Sequence, residues 1–142
     1  MYATSTFKSM RLPILNASLL ALVVLLLIGG CASSRNAAQA VSGTWRYIVH
    51  DTPEGDVGGE LHLNGSGNVL AGEITSELTS GPAQLQQVGL VDQVLSFSAT
   101  VNIDGQRIDT ATTATLAGDS MDGTIDVVGV GRYRFTATRA GS

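Results

Sequence analysis

The chain has 142 residues, enough for one domain, and its single cysteine rules out an internal disulfide. Its net charge is −4, and after Cys31 six arginines face all twelve acidic residues, with the only lysine, Lys8, lying upstream. Such an acidic body repels phosphate backbones, so nucleic acid is excluded as a partner.

Residues 1–11 carry Lys8 and Arg11 and no acid, and an uninterrupted apolar block runs from Leu19 to Ile28. A membrane-spanning helix needs roughly 20 apolar residues, a secretory leader about 7–15. Pro13, Asn16 and Ser18 break the early part, so the shorter count applies. Ile28-Gly29-Gly30-Cys31 resembles the bacterial lipobox, a branched apolar residue and two small ones before a cysteine. The resemblance implies cleavage between Gly30 and Cys31, lipidation of Cys31 and a membrane anchor of several acyl chains. One chain holds only marginally, at about 0.8 kcal/mol per buried methylene. Gram-negative lipoproteins with aspartate after the cysteine stay in the inner membrane. Here Ala32-Ser33 follows, which implies the outer membrane. The organisation expected is a leader over 1–30, a lipidated cysteine and flexible tether over 31–40, and a domain over 41–142.

That domain reads as all-β. Short β-rich runs alternate with turn signals at intervals of roughly 8–12 residues, the mark of a sandwich or barrel. Eight strands are expected: Gly43–Asp51, Gly59–Asn64, Val69–Glu77, Ala83–Val91, Gln93–Ile103, Gln106–Ala117, Ser120–Val128 and Arg132–Arg139. Asp104-Gly105 between two alternating runs is a strong hairpin signal, because a type I′ turn needs positive φ at both centres. It sets Val101 opposite Ile108, Phe97 opposite Thr112 and Leu95 opposite Ala114. A turn at Gly118-Asp119 then sets Leu116 opposite Met121 and Thr112 opposite Ile125. A loop at Gly129–Gly131 sets Val127 opposite Tyr133, Ile125 opposite Phe135, Met121 opposite Arg139 and Asp126 opposite Arg134. Apolar side chains stay on one face throughout, and a slip of one residue would invert them all. Only "AQLQQVGLV" has no cleanly apolar parity. An antiparallel meander with one greasy face must roll up to bury it, so an up-and-down barrel of about eight strands is expected.

Gly43-Thr44-Trp45 at the first strand and Thr138-Arg139 at the last resemble the calycin signature shared by lipocalins and avidins. The resemblance implies that Arg139 stacks on Trp45 and closes the barrel. A bare guanidinium on an inner face would be costly without such a partner. Avidins enclose biotin with several tryptophans, and this chain has only Trp45, so biotin is not the expected ligand. Small lipocalin-like barrels that inhibit bacterial proteases or lysozymes supply the leading analogy, a noncatalytic envelope protein that binds a protein partner as inhibitor or accessory module. The alternative is a carrier of a small apolar ligand, for which the inner-face residues Tyr47, Phe97, Thr110, Thr112 and Tyr133 are candidate contacts. A carrier needs on the order of 300 Å³ of connected space.

Other chemistry is weakly represented. His50 and His62, with Asp51 and Glu60 near them, suggest a metal only if His50 pairs near Glu60, which would set His62 opposite Ile48. The plainer reading is solvated strand residues, and no metal or other cofactor is expected. Asp119, Asp122 and Asp126 lack the Asp-x-Asp-x-Asp-Gly spacing of a calcium loop. No Gly-x-Ser-x-Gly elbow occurs, and no catalytic residue is assigned.

Overall fold

A computed structural model describes residues 32–66 and 69–141. The expected leader over 1–30 and the expected lipidation site Cys31 lie outside the described residues. Asp104 (φ 51°) and Gly105 (φ 80°) both take the left-handed conformation that a two-residue hairpin requires. Their strands, β5 (Val94–Ile103) and β6 (Gln106–Ala117), pair from Ile103↔Gln106 through Phe97↔Thr112 to Val94↔Thr115, in the register read from the turn. Strand β7 (Ser120–Val127) follows, with Leu116↔Met121 and Thr112↔Ile125 as expected.

The last hairpin departs from expectation. Strand β8 (Gly131–Arg139) pairs Val127↔Gly131, Ile125↔Tyr133 and Met121↔Ala137, two residues away from the anticipated register. The loop is Val128–Val130, with Gly129 at φ 80°, and the Val130 N–H donates to the Val127 carbonyl at 3.0 Å. Moving the loop centre by one residue moves the pairing by two, so the inner face is preserved while the charge partners change. Asp126 therefore meets Arg132, which grips it with three hydrogen bonds of 2.7–3.1 Å, and Arg134 bonds Asp122 at 2.6 Å.

Strands β1 (Gly43–Thr52), β2 (Gly55–Ser66), β3 (Val69–Ser76) and β4 (Ala83–Val91) complete a closed antiparallel barrel in which β1 also pairs with β8. Strand β2 begins four residues earlier than read from sequence. Thr52 pairs with Gly55, the Thr52 hydroxyl donates to the Gly55 carbonyl at 2.6 Å, and Asp56 accepts the Asp51 N–H at 3.0 Å. This tight turn sets Thr44 opposite His62 and Ile48 opposite Gly58, which corrects the expected His62–Ile48 pairing.

The mixed parity of β4 has a physical cause. A register shift against β5 falls between Gln86 and Gly89, with Gln87 at φ 52°. Such a bulge reverses which parity points inward. Ala83 and Leu85 face the core before it, Val88 and Leu90 after it. The seam between β3 and β4 is the shortest, pairing only at Glu73↔Gln84 and Ile74↔Ala83.

Helix α1 (Ala32–Val41) precedes the barrel. Ala38 and Val41 are buried, and Val41 belongs to the same core cluster as Trp45, Leu61, Leu63 and Phe135. The packed body thus begins about one helical turn before the boundary expected at Val41. Ser33–Ser142 forms a compact unit that holds this core and a sheet closed on itself, the conditions under which a domain folds alone.

Candidate functional site

The barrel has two unlike ends. At the floor, where β1 starts and β8 ends, Trp45, Leu61, Leu63, Leu95, Met121 and Phe135 are almost completely buried. The Arg139 guanidinium stacks on Trp45, 4.3 Å from the ring centroid. It also donates to the Ser42 carbonyl at 2.7 Å, to the Ala40 carbonyl, and to Asp119 at 2.8 Å. The Trp45 indole N–H donates to the Val41 carbonyl at 2.9 Å. Trp45 and Arg139 are therefore direct cross-strand neighbours that also bind the C-terminal carbonyls of α1, where a cation is favoured. No sequence signal pointed to α1 or Asp119 as their partners.

The opposite end is open. A cavity of about 310 Å³ lies there, bounded by the β1–β2 turn (Thr52-Pro53-Glu54), by Leu78 and Thr79 after β3, and by Val130 of the last loop. Its walls are mainly aliphatic, among them Val49, Ile74, Val101, Ile108, Ile125 and Val127. Alternation along antiparallel strands delivers lining side chains to one interior from seven strands, all but β4.

Of the candidate ligand contacts, Tyr47, Thr110 and Tyr133 line the cavity. Phe97 and Thr112 do not: they are 3% and 2% exposed and lie among the core side chains. Tyr47 stacks on Phe135 with centroids 5.4 Å apart, and its hydroxyl donates to the Thr75 carbonyl at 2.8 Å. Burial, helped by Glu77 and opposed by a hydrogen bond with Ser76, pushes its pKa up to about 12, so the phenol stays neutral. Gly59 makes room for it, since a Cβ there would come within 2.5 Å of the Tyr47 hydroxyl. The Thr110 hydroxyl donates to the Ala99 carbonyl at 3.1 Å, whereas the Thr112 hydroxyl is buried without a partner.

The histidines are held apart by the β1–β2 register. His50 bonds Thr136 at 2.8 Å and Asp56 at 3.2 Å, while His62 bonds Thr44 at 2.9 Å. Thr44 and His50 are six residues apart on one strand, about 20 Å. Among the described residues no three His, Cys, Asp or Glu side chains are grouped to hold a metal.

No protein-family model and no curated protein matches the chain. Among solved structures it is similar to a redesigned β-barrel, mFAP1, bound to DFHBI. The two share 18% identity at a TM-score of 0.54, over 75% of this chain and 99% of that one. At that identity the likeness is one of fold: this chain is an all-β closed antiparallel barrel of eight strands.

Proposed function

We propose that this chain is a noncatalytic, lipid-anchored protein of the bacterial envelope whose calycin-like barrel carries a small apolar molecule in its open end. The observation that carries the reading is the aliphatic cavity of about 310 Å³ above a sealed floor. That volume lies at the low end of ligand pockets, about 300–1,000 Å³. It reverses the order of the two readings made from sequence, placing the ligand carrier ahead of the protein-binding module. The lipobox supports the anchor, and Ala32-Ser33 after Cys31 supports the outer membrane.

Titration of residues 33–142 with 1-octanol, a neutral apolar probe, followed by calorimetry, tests the cavity. Saturable one-to-one binding is expected, and Val101→Trp, which fills the cavity from its wall, abolishes it while the circular dichroism of the sheet persists. Absence of binding by the parent protein, or unchanged binding by the filled variant, overturns the carrier reading. Palmitate labelling of the full chain tests the anchor separately, and labelling that survives Cys31→Ser refutes it.

A further inference from the structure

Most polar side chains of the cavity share one chemical bias. A backbone carbonyl can only accept, so a hydroxyl bonded to one has spent its single proton. Four lining hydroxyls are in this state: Thr52 donates to Gly55 at 2.6 Å, Tyr47 to Thr75 at 2.8 Å, Thr79 to Ser76 at 3.1 Å and Thr110 to Ala99 at 3.1 Å. Each keeps oxygen lone pairs and nothing to give. The one charged side chain in the lining is Glu54, a further acceptor. Ser76 and Tyr133 are the remaining hydroxyls, and no arginine, lysine or histidine lines the space.

None of the barrel's five arginines lines the cavity. Arg132 and Arg134 are bound to Asp126 and Asp122, Arg139 is at the floor, and Arg46 and Arg107 are exposed on the outer surface, Arg107 just past the Asp104-Gly105 turn at the mouth end. Strand direction brings Asp51, Glu77 and Asp104 to the same end as Glu54, next to or within its loops. A carboxylate or phosphate entering the cavity would lose water, meet the Glu54 carboxylate and find no cation among the lining side chains.

Resting on the carrier reading above, we infer that the ligand presents a protonated amine at the mouth, held at Glu54, with its apolar part inside. An ammonium brings donors to a rim of acceptors and positive charge to a carboxylate. Anionic amphiphiles such as fatty acids are selected against.

Three probes of equal length separate the alternatives: octylammonium, 1-octanol and octanoate, each titrated into residues 33–142 at pH 7 and low salt. Octylammonium is expected to bind about tenfold more tightly than octanoate, with 1-octanol between them. The preference shrinks in Glu54→Gln and at raised ionic strength. The substitution spares the turn, because the Glu54 contact to Thr52 is made by its backbone N–H. Binding of 1-octanol with octanoate equal to or tighter than octylammonium overturns the inference and leaves the carrier reading standing. An amine preference unchanged in Glu54→Gln, or retained in Val101→Trp, also overturns it, by placing the amine elsewhere on the acidic surface. Failure of all three probes to bind removes the carrier reading and the inference together.

Discussion

Arg139 lies face-on to Trp45 at 4.3 Å while its Nη1 reaches the Ser42 carbonyl at 2.7 Å, so one side chain joins the last strand, the first strand and the end of the helix before them. The guanidinium can do this because it is flat on one face and carries donors around its edge.

Replacing Arg139 with lysine keeps the charge but not the fork. An ammonium cannot stack on the indole and also serve Ser42, Ala40 and Asp119. Arg139→Lys is expected to lower unfolding free energy by about 1–3 kcal/mol in urea titrations, the range of a charged hydrogen bond plus part of a cation–π contact. Trp45 emission should shift to the red as water reaches the floor.

The unpartnered Thr112 hydroxyl predicts an opposite sign. Thr112→Val keeps the shape and removes a buried group that bonds to nothing. A gain of about 1 kcal/mol is expected, since an unsatisfied hydroxyl costs about 1–3 kcal/mol. Thr110→Val, which deletes a bond to the Ala99 carbonyl, should show no such gain.

The β4–β5 turn places Asp92 (φ 48°) and Gln93 (φ 65°) in the left-handed region without a glycine. Gln93→Gly removes the clash of Cβ with the backbone and should stabilise the protein by about 1 kcal/mol, read as a raised melting temperature. A β-branched residue at position 93 should do the reverse.

Stability should fall at both ends of the pH scale. Asp56, held by the Asp51 N–H and by His50, and Asp126, held by Arg132, have pKa values below the usual 3.8. Their contribution is complete above that value and is lost as acid protonates them in the folded state. Tyr47, raised from 10.0 to about 12, contributes fully below pH 10 and loses its contribution between the two values, about 2–3 kcal/mol in all. Urea midpoints measured from pH 2 to pH 12 check both limbs. Tyr47→Phe should flatten the alkaline one.

The barrel was legible because alternation and turn chemistry are local. Asp104-Gly105 specified its hairpin and, through it, the partner of every residue from Val94 to Ile103. Where the loop held two glycines, Gly129 and Gly131, the same reasoning chose the wrong centre by one residue. The β4 bulge was visible only as a conflict of parity in "AQLQQVGLV", since an inserted residue leaves no other trace in sequence. The cavity was the least legible feature. Side chains from seven strands decide whether the interior is filled, and periodicity says which residues face inward but not how far apart the walls stand. Thus Phe97 and Thr112, inward by register like Tyr47 and Thr110, are packed away from the open space.

Because β1 is zipped to β8, the ring is completed by residues 134–139, the last stretch of this barrel to leave the ribosome. Until then β1 and β7 each present a bare row of peptide groups, and the long-range contact that ends their exposure spans nearly the whole domain. Maturation is therefore all or nothing: a nascent chain short of Arg139 has no lasting inside, and whatever guards those two edges during synthesis must act until the final strand arrives.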